Sequence, residues 1–206
     1  MTKKISFIFI LILTITRLEI MTGYSHNQET LTWVEVISDI RNKYTSVKQL
    51  QTAELQSWLT SPNNELVILI DARRKEEFNV SHITGAKNIP YKKDPRKLFK
   101  DTKQDSSIVV YCSVGYRSSI LAKKLQDMGF TKVYNLEGSI FKWANEGKPL
   151  VQGQATVHKV HPYDTHWGSL LEKNTVKKSC NYSAFDFLMS LAMNSSAAYG
   201  PQVPAR

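Results

Sequence analysis

Three short, mainly apolar runs constrain the fold of this chain more than any other feature of its sequence. They occupy residues 66–70, 108–111 and 133–136. Such runs are typical of strands that are buried on both faces of a parallel sheet. Residues 118–128 follow the second run with an apolar stripe at helical spacing, and residues 138–145 form another helical segment. This alternation predicts a three-layer α/β/α fold, with a mainly parallel central sheet and helices on both of its faces.

Upstream of the first run, the sequence predicts two helices and a short strand. Thr32 and Glu35 have the spacing of a capping box and precede apolar residues at helical spacing, which predicts a helix over 33–43. Residues 47–50 predict a short strand, and Thr52 is interpreted as the N-cap of a second helix.

The N-terminus has the pattern of an export signal. Lys3 and Lys4 precede an almost unbroken apolar run over residues 5–16, after which charged residues interrupt it. A basic start followed by about a dozen apolar residues fits a secretory signal better than a spanning helix, which needs about 20. We therefore assign residues 1–25 to a signal peptide and expect export to a periplasm, a secretory lumen or the exterior. The alternative is an uncleaved anchor, which would attach the protein to a membrane.

The remaining chain is interpreted as three segments. Residues 26–43 form an N-terminal helix and linker, and residues 44–150 form the α/β domain. Residues 151–206 form a C-terminal extension, and the composition of residues 194–206 predicts disorder.

Composition excludes several classes of protein. The chain has 206 residues, and its net charge of +9 favours anionic partners. Its positive charge is spread along the chain without a nucleic-acid-reading motif, so we expect no nucleic-acid partner. Two cysteines are too few for a disulfide framework, and they lack metal-site spacing. No cofactor motif is present.

A cysteine directly after the second apolar run is the best candidate for chemistry. It opens the loop Cys112-Ser113-Val114-Gly115-Tyr116-Arg117-Ser118, between a predicted strand and a predicted helix. Gly115 permits tight curvature, so that loop N–H groups can converge on one point, and the following helix directs its N-terminal dipole there. Lowering a thiol pKa by about two units requires roughly 2.7 kcal/mol of anion stabilisation, which these groups and Arg117 can supply. Cys112 is therefore predicted to be a reactive thiolate.

The loop and two flanking segments resemble the rhodanese-like sulfurtransferases. Cys112 to Arg117 is similar to the active-site loop of that family. The segment Asp71-Ala72-Arg73, followed by Glu76-Glu77-Phe78 and by Ser81-His82-Ile83-Thr84-Gly85-Ala86-Lys87-Asn88-Ile89-Pro90, is similar to its first motif. The segment from Gly129-Phe130 through Leu136-Glu137-Gly138-Ser139 to Trp143 and Gly147-Lys148-Pro149 is similar to its closing motif. Ser81 and Ser139 depart from the pattern, because each stands where the family usually has glycine.

The resemblance implies a single-domain sulfurtransferase. Cys112 would take sulfur from an anionic donor such as thiosulfate or a persulfide, and a thiol or cyanide would remove it. Residues 113–116 and Ser118 would hold the bound sulfur, and Arg117 would attract the donor's oxyanion. Asp71 and Arg73 are expected to pair as a support at the base of the loop. A sulfur-relay protein is also a possible partner.

Several alternatives stay open at this point. Phosphatases of this architecture resemble Cys-x5-Arg, whereas only four residues separate Cys112 from Arg117, which favours sulfur transfer. A sulfur-carrying or thiol-sensing module that turns over poorly is the second hypothesis. Cys180 could pair with Cys112 in an oxidising compartment. We expect His82 to hold a turn by hydrogen bonding.

Overall fold

The computed structural model describes residues 31–61 and 66–172, together with the backbone of residues 177 and 178. The helices in these ranges are α1 (Trp33–Lys43), α2 (Thr52–Thr60), α3 (Lys75–Val80), α4 (Arg96–Phe99), α5 (Tyr116–Asp127), α6 (Ser139–Asn145) and α7 (Thr165–Gly168). The strands are β1 (Lys48–Leu50), β2 (Ile68–Asp71), β3 (Lys87–Asn88), β4 (Ser107–Tyr111), β5 (Lys132–Leu136), β6 (Leu150–Gln152), β7 (Ala155–Val157), β8 (Lys159–Val160) and β9 (Lys177–Lys178).

Five parallel strands form the central sheet, in the order β1-β5-β4-β2-β3. In the register, Val110 pairs with Ile70 on one side and with Asn135 on the other. The central strand β4 is buried along its whole length. Because all five strands run the same way, their carboxyl ends lie at one edge, where binding sites of open α/β sheets form.

Helices cover both faces of the sheet. Val109 and Tyr111 of β4 point to one hydrophobic cluster, which also contains buried residues of α1, α2 and α6. Ile108 and Val110 point to the other cluster, which contains residues of α4 and α5. Alternate side chains of one strand therefore enter two cores. The predicted three-layer α/β/α fold is confirmed.

Segments on either side of residues 44–150 contribute to the first cluster. Val36 and Ile40 of α1 are buried there, and so are Val160, Leu170 and Leu171 after β7. The capping box predicted for Thr32 and Glu35 is present at the start of α1. The division of the chain into segments stays a prediction.

The predicted role of Thr52 is wrong. Gln51 is the N-cap of α2, and its side chain makes no capping hydrogen bond. Thr52 is the first helical residue, and its hydroxyl donates instead to Glu146. The Thr52 hydroxyl therefore bonds to a residue 94 positions away instead of capping the helix, and the local sequence does not indicate this partner.

Several sequence predictions lie outside the described residues. They concern the signal peptide or anchor over residues 1–25, the pairing of Cys180 and the C-terminal end from residue 194. Among the helices that the structure describes, none combines the length and the apolar character needed to cross a membrane.

Candidate active site

The Cys112 loop lies at the carboxyl edge of the sheet, between β4 and α5. Gly115 has φ +131°, a conformation that side-chain-bearing residues rarely adopt. A Cβ added there would lie 2.8 Å from Cδ1 of Ile40, so α1 closes over the turn. From α6, the N–H groups of Ile140 and Phe141 donate to the carbonyls of Cys112 and Ser113, at 3.2 and 3.1 Å. The loop is thus fixed from two sides.

The Cys112 sulfur lies inside this loop, and the residue is only 1% exposed. Sγ accepts a hydrogen bond from the Gly115 N–H at 3.1 Å and lies 3.4 Å from the Ser118 hydroxyl. Burial alone would raise the pKa of Cys112, but the charge of Arg117 and hydrogen bonds from Ser118 and Gly115 outweigh it and lower the pKa. The site therefore favours the nucleophilic thiolate.

The Ser118 hydroxyl is shared among three acceptors. It lies 2.6 Å from Oδ1 of Asn135, 3.0 Å from the Gly115 carbonyl and 3.4 Å from Sγ of Cys112. A hydroxyl has one proton, so it donates to only one of these at a time. Nδ2 of Asn135 in turn donates to Gln49 at 2.7 Å, which fixes the amide. The backbone N–H of Gly115 is consequently the more constant donor to the sulfur.

Arg117 contacts a carboxylate that the sequence did not assign to the site. Its guanidinium donates to both oxygens of Glu77, at 2.7 and 2.8 Å, and to the Ser113 hydroxyl at 2.8 Å. Burial alone would raise the pKa of Glu77, but Arg117, the charge of Arg73 and the Arg74 N–H hold it at about 2. The predicted receptor for a donor oxyanion is therefore already paired, with its charge balanced.

Glu77 and Arg117 are 40 positions apart, so no local pattern connects them. The available signal was a carboxylate inside the first motif, on a short helix that follows a buried strand.

The predicted pair of Asp71 and Arg73 is present and is buried completely. Nη2 of Arg73 donates to Asp71 at 2.7 Å and to the Ser81 carbonyl at 2.6 Å. This pair holds the chain after β2 against the turn at Ser81. Nη1 of Arg73 and Oγ of Ser81 are buried without a hydrogen-bond partner among the described residues.

Val114 and Tyr116, the other predicted loop residues, have different surroundings. Val114 is buried in the first hydrophobic cluster. The Tyr116 hydroxyl donates to Asp39 of α1 at 2.7 Å, and its ring meets Trp167 edge-to-face with centroids 5.5 Å apart. Tyr116 therefore links both ends of the described chain to the loop.

Comparisons with known proteins agree with this geometry. A family model described as a rhodanese-like domain matches residues 51–146. A sulfurtransferase of Allochromatium vinosum is 33% identical over 89 residues, which are 43% of this chain and 82% of that protein. The chain belongs to the rhodanese-like family.

Other relatives are matched over part of their length. Protein YqhL of Bacillus subtilis is 36% identical over 80 residues, which are 39% of this chain and 63% of that protein. The adenylyltransferase and sulfurtransferase UBA4 of Meyerozyma guilliermondii is 37% identical over 93 residues, covering 42% of this chain and 22% of UBA4. The crystal structure of a thiosulfate sulfurtransferase from Pseudomonas aeruginosa has the same fold, with a TM-score of 0.50 and 22% identity over 60% of this chain and 23% of that one.

Ser139, one of the two departures from the rhodanese-like pattern, touches the loop directly. Its hydroxyl accepts the Cys112 N–H at 3.1 Å and donates to the Leu136 carbonyl at 3.1 Å. The residue has φ +51°, which favours glycine. Serine at the start of α6 therefore combines backbone strain with a hydrogen bond to the rhodanese-like loop that glycine could not make.

Two histidines of the described part of this rhodanese-like chain have structural surroundings. Nδ1 of His82 lies 3.1 Å from the Phe78 carbonyl, and its ring stacks on Phe78. Nδ1 of His161 accepts the Tyr163 N–H at 3.0 Å, and burial lowers the pKa of His161. Among the described residues, no group of three or more His, Cys, Asp or Glu side chains could hold a metal ion.

Proposed function

We propose that this rhodanese-like chain is a sulfurtransferase that carries sulfane sulfur as a persulfide of Cys112. The observation that carries the proposal is the surroundings of the sulfur. It is buried, it accepts a hydrogen bond from the Gly115 N–H, and the positive charge of Arg117 stabilises its thiolate form. A thiolate held in this way is a ready nucleophile, whereas a cysteine that served only as core packing would need no such donors.

The chemistry proceeds in two displacements. The Cys112 thiolate attacks the outer sulfur of an anionic donor such as thiosulfate or a persulfide. A bond forms between the two sulfurs, the donor's own sulfur bond breaks, and its remainder leaves with the electron pair. A thiol or cyanide acceptor then attacks the outer sulfur and restores the thiolate. Each half-reaction releases a product, so ping-pong kinetics are expected.

The loop also has a part in the persulfide state. The N–H of Gly115 faces Sγ, and a second sulfur beyond it would extend the anion within the same turn. The pairing of Arg117 with Glu77 gives this guanidinium a fixed position, from which its charge stabilises the anion without moving.

Intact mass spectrometry tests the proposal. Incubation with thiosulfate or an organic persulfide should add about 32 Da, one sulfur atom, to Cys112. Cys112→Ser should take up none, and Cys180→Ser should load like the parent protein. Absence of an adduct with every sulfane donor would contradict the proposal. Cys112-dependent hydrolysis of an aryl phosphate would support the phosphatase alternative instead.

A sulfur-relay role is the second candidate. The relative UBA4 is named as a joint adenylyltransferase and sulfurtransferase, and this chain spans 22% of its length. In proteins of that kind, the acceptor could be another protein. Multiple turnover with small thiols favours the enzyme, whereas an adduct that only a partner protein discharges favours the relay.

We also propose that the protein is exported, on the pattern of residues 1–25 alone. Fractionation of the host, with intact mass of the recovered chain, tests both export and cleavage. A chain that keeps its first residues in the cytoplasmic fraction would contradict the proposal.

A further inference from the structure

A small cleft opens beside the active-site loop. It has a volume of about 100 Å³ and is lined by Arg74, Pro90, Tyr91, Lys92, Arg117 and Tyr163. We refer to these six residues as the Tyr163 cleft. Cys112 is not among them, so a ligand confined to this cleft would not touch the sulfur. Any occupant of the cleft that also reacts with Cys112 must therefore extend beyond it.

The charge of the Tyr163 cleft is strongly positive. Arg117 is balanced by Glu77, but within the described part of the chain neither Arg74 nor Lys92 forms an ion pair with a carboxylate. The nearby carboxylate of Asp164 accepts the Trp167 N–H at 2.8 Å, as the cap of α7. Two cations without a carboxylate partner beside a reaction centre favour an anionic ligand.

Aromatic rings form the walls between these cations. The guanidinium carbons of Arg117 and Arg74 lie 4.7 and 5.9 Å from the ring centroid of Tyr163. Lys92 lies 5.9 Å from the ring centroid of Tyr91, whose carbonyl accepts a hydrogen bond from Lys124 at 2.9 Å. Such walls suit the carbon atoms of an organic ligand and hold the cationic groups in place.

Tyr163 occupies its position at a cost in backbone energy. It has φ +68°, in the left-handed region, and its N–H is held by His161. Strain of this kind at a residue that is not glycine is commonly found at functional sites. Tyr163 also lies beyond residues 51–146, the part matched by the family model. The C-terminal segment thus adds a wall that the matched domain does not contain.

We propose that the Tyr163 cleft binds the carboxylate end of a small organic thiol, the acceptor of sulfur from Cys112. This inference rests on the proposed sulfurtransferase function and specifies its acceptor class. The volume equals that of about three water molecules, enough for a carboxylate and adjoining carbon. Arg117 lines the cleft and also belongs to the Cys112 loop, so the rest of the molecule would extend toward that loop.

The transfer step is balanced without an added oxidant. The acceptor thiolate attacks the outer sulfur of the Cys112 persulfide and forms a new sulfur–sulfur bond. The bond between that sulfur and Sγ breaks, and Cys112 leaves as a thiolate. The product is the organic persulfide, which keeps the proton of the transferred sulfur.

Acceptor kinetics test the inference, with mercaptosuccinate as the anionic thiol, 2-mercaptoethanol as the neutral one and thiosulfate as the donor. In R74Q/K92Q, kcat/KM for mercaptosuccinate should fall by about tenfold, because charge-assisted contacts are lost. The value for 2-mercaptoethanol should stay within about twofold. Tyr163→Ala should also act selectively on mercaptosuccinate. The matched control is K103Q/K132Q, which removes two exposed charges at the opposite edge of the sheet and should change neither acceptor.

Three results would overturn the inference. They are equal losses for both thiols, no loss for either, or a loss confined to loading by thiosulfate, which would assign the cleft to the donor. Succinate, which has no thiol, provides a readout that does not depend on turnover. Calorimetry should show that it binds the parent protein more tightly than R74Q/K92Q. Succinate binding without sulfur transfer would support the cleft and contradict the proposed function. Sulfur transfer that does not distinguish mercaptosuccinate from 2-mercaptoethanol would support the proposed function and contradict the cleft.

Discussion

Glu77 accepts two hydrogen bonds from Arg117, at 2.7 and 2.8 Å, directly beside the Cys112 loop. Glu77 is 1% exposed, and the side chain of Arg117 is 13% exposed. The two residues come from α3 and α5, which follow different strands of the sheet. This pair therefore joins the first motif of the sequence to the active-site loop, and it determines how the charge near the sulfur is balanced.

Glu77→Gln should destabilise the fold at neutral pH. The substitution leaves the nearly buried Arg117 guanidinium without a counter-ion, which typically costs about 3–5 kcal/mol of stability. Urea denaturation at pH 7 measures the loss. Glu76→Gln, at an exposed neighbouring position of the same helix, is the control and should change the unfolding free energy by less than about 0.5 kcal/mol. Equal losses in the two variants would contradict a specific role for the pair.

The same variant should change the response to acid. The pKa of Glu77 is about 2 in the fold, below its value of roughly 4.3 in an unfolded chain. The stabilisation, roughly 3 kcal/mol, is complete above the unfolded value and is lost as pH falls through the folded one. The difference in unfolding free energy between parent and Glu77→Gln should therefore shrink by roughly 1–2 kcal/mol between pH 7 and pH 3. A constant difference would contradict the low pKa.

The thiolate of Cys112 should depend more on Arg117 than on Ser118. Alkylation of Cys112 by iodoacetamide against pH, in a Cys180→Ser background, reports its pKa, which should lie below that of a free thiol. Glu77→Gln is compared with the double variant E77Q/R117Q, so that neither protein retains a buried unpaired carboxylate. Loss of the Arg117 charge in the double variant should raise the pKa of Cys112.

Ser118→Ala should raise the pKa of Cys112 by less. Its hydroxyl proton is shared with Asn135 and Gly115, and the N–H of Gly115 remains in place. A larger shift in Ser118→Ala than on loss of Arg117 would mean that the hydroxyl, and not the charge, stabilises the thiolate.

The sequence was sufficient for the fold because its strongest signals are local. The apolar runs at 66–70, 108–111 and 133–136 correspond to β2, β4 and β5, with boundaries moved by up to two residues. A buried central strand must be apolar on both faces, and this requirement is visible in the run itself. The position of Cys112 at the carboxyl edge then followed from the strand that precedes it.

Long-range partners of the site were not predictable in this way. Glu77 could not be assigned to Arg117, nor Ser139 to the Cys112 N–H, because these contacts depend on how separate elements pack. The contact of Tyr163 with Arg117 was missed for the same reason, since the C-terminal segment returns to the loop through tertiary structure. The error at Thr52 also arose from a distant acceptor, Glu146.

Gly115→Ala should impair both folding and loading of sulfur. At φ +131° a side chain is strained, and its Cβ would lie 2.8 Å from Ile40, so the combined cost is about 2–4 kcal/mol. Gly147→Ala is a matched control, because Gly147 also has positive φ but no atom within 4 Å of an added Cβ. It should cost about 1 kcal/mol and load normally. Thermal denaturation and adduct formation distinguish the two, and equal behaviour would mean that contact with α1 is unimportant.

Ser139 provides the sharpest test of how the loop is held, because two substitutions separate its two effects. Ser139→Gly relieves the strain of φ +51° but removes the acceptor of the Cys112 N–H, so gain and loss of about 1 kcal/mol each should nearly cancel in stability. Ser139→Ala removes the acceptor and keeps the strain, so it should be less stable than Ser139→Gly by about 1 kcal/mol.

Both substitutions should slow persulfide formation to a similar extent, by about threefold to tenfold, since each leaves the Cys112 N–H without its partner. Urea denaturation gives the stability order, and stopped-flow loading with thiosulfate gives the rate. If Ser139→Gly loads as fast as the parent protein, the hydroxyl does not position the loop. If the rates follow stability instead of the hydrogen bond, the strain at residue 139, and not its contact with Cys112, governs the reaction.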